Sequence, residues 1–129
     1  MEFAETTKFW LKEAKEALKV ARDLFDKKDY SYSLFFAHLA IEKILKSLYI
    51  SINNEQAPYI HNLLRIAEAC KIDMEEEQKL FLIRLTSYNL EARYPDEKRS
   101  FRKKCTKSYT AKELEKVKEL FVWLKSKLK

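Results

Sequence analysis

Arg93, Tyr94, Pro95 and Asp96 stand together at the end of a long run of helix-forming residues. An arginine presents a flat fork of donors that matches a phosphate, and a tyrosine offers a face on which a base or sugar can stack. The proline stops the helix, because the residue before it is pushed out of helical space. A cation is also favoured at a helix C-terminus for purely structural reasons. Spacing alone does not separate a phosphate site from a helix stop.

Two histidines offer further polar chemistry. His38 and Glu42 lie four residues apart, on one side of a predicted helix, with Lys43 and Lys46 beside them. Such a pair could face a cleft or a dimer axis, or it could be a buried histidine satisfied by its neighbour. His61 and Asn62 fall in the first turn of a predicted short helix, where free backbone N–H groups favour an anion. Capping or packing is the structural alternative for both. Two histidines and two distant cysteines, Cys70 and Cys105, leave a zinc site without its usual ligand spacing, and no metal or cofactor is expected.

The segment 97–107 concentrates positive charge. It holds Lys98, Arg99, Arg102, Lys103, Lys104 and Lys107 against one acid, Glu97, within a chain of net charge +6. Cations this concentrated point to an anionic partner, most directly nucleic acid. Phe101 among them is a candidate to stack on a base. The alternative is a solvated loop that binds nothing.

These residues must be carried by helices. The chain of 129 residues has no glycine, which removes P-loops, dinucleotide-binding glycine motifs and easy hairpin turns. The expected fold is therefore all-α, an antiparallel bundle of four long helices plus one short helix, forming a single domain over residues 1–129.

Phe3, Thr7, Trp10, Ala14, Ala17, Ala21 and Leu24 mark a first helix over about 3–26. A second runs to about residue 52, with Leu34, His38, Ile41, Leu45, Leu48 and Ile52 on one stripe. Phe35, Phe36 and Leu39 widen its apolar surface, so it is either central or part of a subunit interface. Pro58 opens a short helix to about Lys71, and Asp73 with Glu76 caps a fourth ending at Pro95. Thr110 and Glu113 form a capping box for the last, whose stripe is Leu114, Val117, Phe121, Leu124 and Leu128. An acidic opening, Met1-Glu2-Phe3-Ala4-Glu5, is unlike a signal peptide, and no apolar run reaches the roughly 20 residues of a membrane span, so a cytoplasmic protein is expected.

Four blocks in this order resemble the HEPN domain family. They are the first helix with Trp10 and Ala14, "FFAHLAIEKILKSLY" at 35–49, "HNL" at 61–63 and "EARYPDE" at 91–97. The resemblance implies that Arg93 and Tyr94 border a ligand cleft shared with the middle helices, near a dimer interface. It also implies a nucleotide or RNA ligand and a small nucleotidyltransferase as partner, as in a toxin–antitoxin pair. Ribonuclease relatives carry an arginine, then four to six residues, then a histidine. Here neither Ser31, Tyr32 and Ser33 nor Asn54, Glu55 and Gln56 supplies it, so the reading is a non-catalytic binding protein. The alternatives are a ribonuclease with an unconventional site, such as His61 with Arg93, or a helical dimer that docks a protein through Phe35 and Phe36.

Overall fold

A computed structural model describes residues 3–128. Its regular elements are α1 (Ala4–Asp26), α2 (Tyr30–Asn53), α3 (Leu63–Ala69), α4 (Glu76–Arg93), α5 (Ser100–Lys104) and α6 (Lys107–Ser126), with no strand among the described residues. The expected all-α bundle of four long helices is present, with two short helices rather than one.

α2 is the centre of the bundle, packed against α1, α3, α4 and α6. That is why its sequence is apolar on more than one side: over half of its 24 residues are buried, including Leu34, Ile41, Leu45 and Leu48. α1 turns Ala14, Ala17 and Ala21 toward it, and such small side chains let the two backbones approach closely. Ser33 Oγ donates to the Ala21 carbonyl at 2.6 Å, and Ser47 Oγ to the Thr7 carbonyl at 2.9 Å. Two hydroxyls that would be costly to bury unpaired thus tie α1 to α2 at both ends.

Several helix starts differ from expectation. α3 begins at Leu63 rather than at Pro58, because Asn62 is the better cap: its side-chain oxygen accepts from Arg65 N at 3.2 Å. At α4, Gln78 Oε1 accepts from Glu75 N at 2.9 Å, two residues beyond the expected Asp73–Glu76 pair. α6 is capped by Thr106, whose Oγ1 accepts from Tyr109 N at 3.1 Å. Thr110 and Glu113, expected to cap it, are buried one and two turns inside. α4 does end at Arg93, with Tyr94 as its C-cap immediately before Pro95.

The basic tract is not a loop. Asp96 orders its start, accepting from Arg99 N at its carbonyl (3.0 Å) and from Ser100 N at Oδ1 (2.8 Å). The five residues of α5 follow, anchored by Phe101 and Cys105, both buried.

Candidate polar cluster on the central helix

Glu42 organises the site. It lies in the most apolar helix of the chain and is only 5% exposed, so its carboxylate needs partners. Oε2 receives the Lys46 ammonium from one turn further along α2 at 3.0 Å. Oε1 lies 2.9 Å from His61 Nδ1 and 3.8 Å from His38 Nε2. The Lys46 ammonium also sits 5.4 Å above the Trp10 ring of α1, a favourable place for a largely buried cation.

The two histidines take different roles. His38 is fully buried, and its Nε2 lies 3.3 Å from the His61 carbonyl oxygen, which can only accept. Nε2 therefore carries the proton in the neutral ring, and Nδ1 is left buried without a partner. Burial holds the His38 pKa below its usual value, with the Glu42 charge opposing this and the Arg93 charge adding to it. His61 instead is about half exposed. Its Nδ1–H donates to Glu42, which fixes the tautomer and leaves Nε2 as the free nitrogen.

α4 positions both flanks of this cluster. Thr86 Oγ1 accepts from Leu63 N at 3.1 Å, which pins the segment carrying His61. One turn before its end, α4 buries Asn89, and at its end the exposed Arg93 guanidinium lies 5.7 Å over the Phe35 ring of α2. Phe35 is one turn from His38. Tyr94 follows, 74% exposed. The helix ends and turns thus bring an oriented histidine, a buried carboxylate and an arginine fork to one side of α2.

The other expected site residues distribute unevenly. Lys46 joins the cluster, whereas Lys43 reaches Glu13 on α1 at 3.4 Å. Asn62 Oδ1 is occupied by the α3 cap, and His61 stands before that cap rather than in the first helical turn. Lys98, Arg99, Arg102, Lys103, Lys104 and Lys107 are all exposed. Phe101 corrects the expectation that it stacks on a base: it is 8% exposed and its ring lies 5.1 Å from that of the fully buried Tyr88. Glu42, weighed only as a neighbour of His38, is the residue sequence reasoning undervalued. A lone carboxylate inside an apolar helix face was the signal.

A larger groove of about 610 Å³ runs between α4 and α6, lined by Leu80, Phe81, Arg84, Leu120 and Trp123 among others. Arg84, the arginine in its lining, is already committed to Glu113 on α6 and so is not an open fork for an anion. Among the described residues there is no His, Cys, Asp or Glu group fit to hold a metal ion, and no helix long and apolar enough to cross a membrane.

A bundle around one central helix, with a charged cluster where the middle helices meet, defines a class of small all-α domains. The sequence pattern of the HEPN domain matches residues 7–127, and the chain belongs to that family. Membership connects it with nucleotide- or RNA-related function. The fold is similar to that of the crystal structure of TT1696 from Thermus thermophilus, with a TM-score of 0.80 at 22% identity, covering 95% of this chain and 98% of that one. No curated protein sequence matches the chain.

Proposed function

We propose that this is a nucleotide- or RNA-binding HEPN protein without catalytic activity, and that it works as a homodimer with a small nucleotidyltransferase. The observation that carries the reading is that Arg93 lies over Phe35, one turn along α2 from His38, whose Nε2 faces the Glu42 carboxylate. A phosphate held by the Arg93 fork would lie on the side of α2 that carries the Glu42–His61 pair, whose half-exposed imidazole keeps Nε2 open to a ligand. The lack of an arginine separated from either histidine by four to six residues supports the non-catalytic part. The partner protein is carried over from the resemblance alone, and co-purification with an adjacent nucleotidyltransferase is its test.

Thermal denaturation against a panel of nucleotides and short RNAs tests the binding. A ligand present at about 100 times its Kd stabilises by about 2.7 kcal/mol, several degrees in a chain of this size. Arg93→Ala should abolish that shift. A panel that moves nothing, with Arg93→Ala indistinguishable from wild type, would end the proposal.

A second reading, ribonuclease activity, is favoured by one contact. The 2.9 Å bond from His61 Nδ1 to Glu42 leaves Nε2 free as a base, as in a carboxylate-oriented histidine of a hydrolase. His61 Nε2 would take the proton of a ribose 2′-hydroxyl as that oxygen attacks phosphorus, with Arg93 on the phosphoryl oxygens and the leaving 5′-oxygen protonated by water. Discrete cleavage of total RNA that vanishes in His61→Ala would establish it. Tight binding with intact RNA would exclude it.

A further inference from the structure

Tyr32 was not expected to matter, yet it is 49% exposed beside the arginines of the basic tract. With Pro95, Arg99 and Arg102 it lines a cleft of about 100 Å³, and a second of about 130 Å³ shares Tyr32 and Arg102 and adds Lys28. Clefts this size hold a phosphate, not a base, so a base would have to lie on the open tyrosine ring. The three cations outnumber the two bordering acids, Glu91 and Asp29. The backbone that carries the arginines is also held in place. Asp96 ties the turn that carries Arg99, and buried Phe101 anchors α5 next to Arg102. A backbone ordered in advance reduces the entropy lost when the segment binds.

The same patch is continuous with the cluster at Glu42. Tyr32, Phe35, Leu39 and Glu42 recur at helical spacing along α2. Ala92 and Glu91 border the cleft at Tyr32, and the next residue, Arg93, lies over Phe35. Arg93 therefore stands between the two ends. Tyr32 and Glu42 are ten residues apart, about 15 Å along the axis at 1.5 Å per residue. One nucleotide cannot touch both. At about 3.4 Å per stacked base the distance corresponds to roughly four or five nucleotides.

We propose that Tyr32, Arg99 and Arg102 form a second subsite, and that the ligand of the whole face is a single-stranded nucleic acid several nucleotides long. The proposal rests on the phosphate-binding reading of Arg93. It moves base stacking in the basic tract from Phe101, which is buried, to Tyr32, which is open. Stacking on an aromatic ring tolerates any base, so little sequence preference follows.

Fluorescence anisotropy with the full chain tests this, using labelled octauridine, diuridine, an octamer duplex and oligo-dT of eight. Octauridine should bind at least tenfold tighter than diuridine and tighter than the duplex, whose bases cannot reach the ring. Oligo-dT separates DNA from RNA as the strand's source, and binding of either octamer supports the subsite. Tyr32→Ala should weaken the octamer roughly five- to hundredfold and leave diuridine unchanged. Tyr32→Phe should restore it, which also excludes a folding defect. Arg102→Ala should flatten the salt dependence by about 0.7 in log–log slope. Equal affinity for dimer and octamer, or an indifferent Tyr32→Ala, would overturn the subsite while leaving the Arg93 site intact. Absence of binding to every probe would overturn both.

Discussion

The Arg84 guanidinium crosses from α4 to α6 and grips the Glu113 carboxylate through Nε at 2.6 Å and Nη2 at 3.0 Å. Tyr88, buried beside it, donates to the same carboxylate at 2.5 Å, and the Tyr88 and Tyr109 hydroxyls are hydrogen-bonded to each other. Direct packing between α4 and α6 is slight beside what each makes with α2. This polar bridge is therefore their main connection. Removing one member of a largely buried pair leaves the others unsatisfied.

Glu113→Ala should accordingly destabilise by about 2–4 kcal/mol in urea denaturation, less than a wholly buried pair because Arg84 keeps some solvent contact. The double variant Arg84→Met/Glu113→Leu should recover at least half of that loss. A loss below about 0.5 kcal/mol for the single variant would mean that the bridge contributes little.

Acid should weaken the fold through His38 first. Its pKa is lowered by burial from an ordinary value of 6.5, so below that pH the unfolded chain takes up a proton that the folded chain refuses. Stability present above about pH 6.5 is thus lost progressively as pH falls toward the depressed folded value. Glu113 adds a later loss of the same sign. Burial alone would raise its pKa, but bonds from Arg84 and Tyr88 outweigh this and hold it below 4.5. Melting temperature measured from pH 7.5 to 4 should begin to fall near 6.5, and His38→Gln should remove that first portion. An unchanged profile in the variant would assign the acid sensitivity elsewhere.

The absence of glycine has a measurable cost at helix ends. Lys28, Asn54, Lys71 and Arg99 all take positive φ, between 52° and 67°. A residue with a Cβ costs about 1–2 kcal/mol in this region, and asparagine tolerates it best. Lys71 is exposed at the end of α3, so replacing it removes little packing. After the larger unfolded-state entropy of glycine, Lys71→Gly should gain about 0.5–1 kcal/mol, or roughly 2–4 °C in Tm. The same change at Ala111, a mid-helix position, should lower Tm instead.

Much of the bundle was legible in the sequence because helix periodicity is strong and glycine is missing. Leu34, His38, Ile41, Leu45 and Leu48 form the buried stripe they predict, though Ile52 at its far end is exposed, and Pro95 stops α4 as its chemistry requires. Choices between competing caps were not legible. Asn62, Glu75 and Thr106 each lie a few residues from another capable residue, and tertiary packing decides among them. Glu113 shows why: a Thr-x-x-Glu pattern reads as a cap until Arg84, 29 residues away, claims the carboxylate. At the site, the His38–Glu42 spacing was visible, but the His61–Glu42 bond joins residues 19 apart across an irregular segment that no period describes. Phe101 misled because charge around an aromatic says nothing about which way the ring turns.

The proposed homodimer has a surface to test. Leu80, Ile83, Leu90 and Tyr94 are each at least half exposed, at steps of three, seven and four that place them on one stripe of α4 and its C-cap. Phe35 and Phe36, the earlier candidates, are half-buried, one under Arg93 and the other against the core. Ser87 lies within the stripe, and its hydroxyl is already bonded to the Arg84 carbonyl, so covering it leaves no donor stranded. Two copies of α4 packed antiparallel along this seam would set Arg84 of one near Glu91 of the other. Light scattering on the wild type at tens of micromolar should give twice the chain mass of 15.5 kDa. Ile83→Glu with Leu90→Glu should yield a monomer that remains helical by circular dichroism, because these side chains face outward and the core is untouched. A wild type that is monomeric throughout would remove the dimer from the proposal, and a dimer that survives the double change would place its interface on another helix.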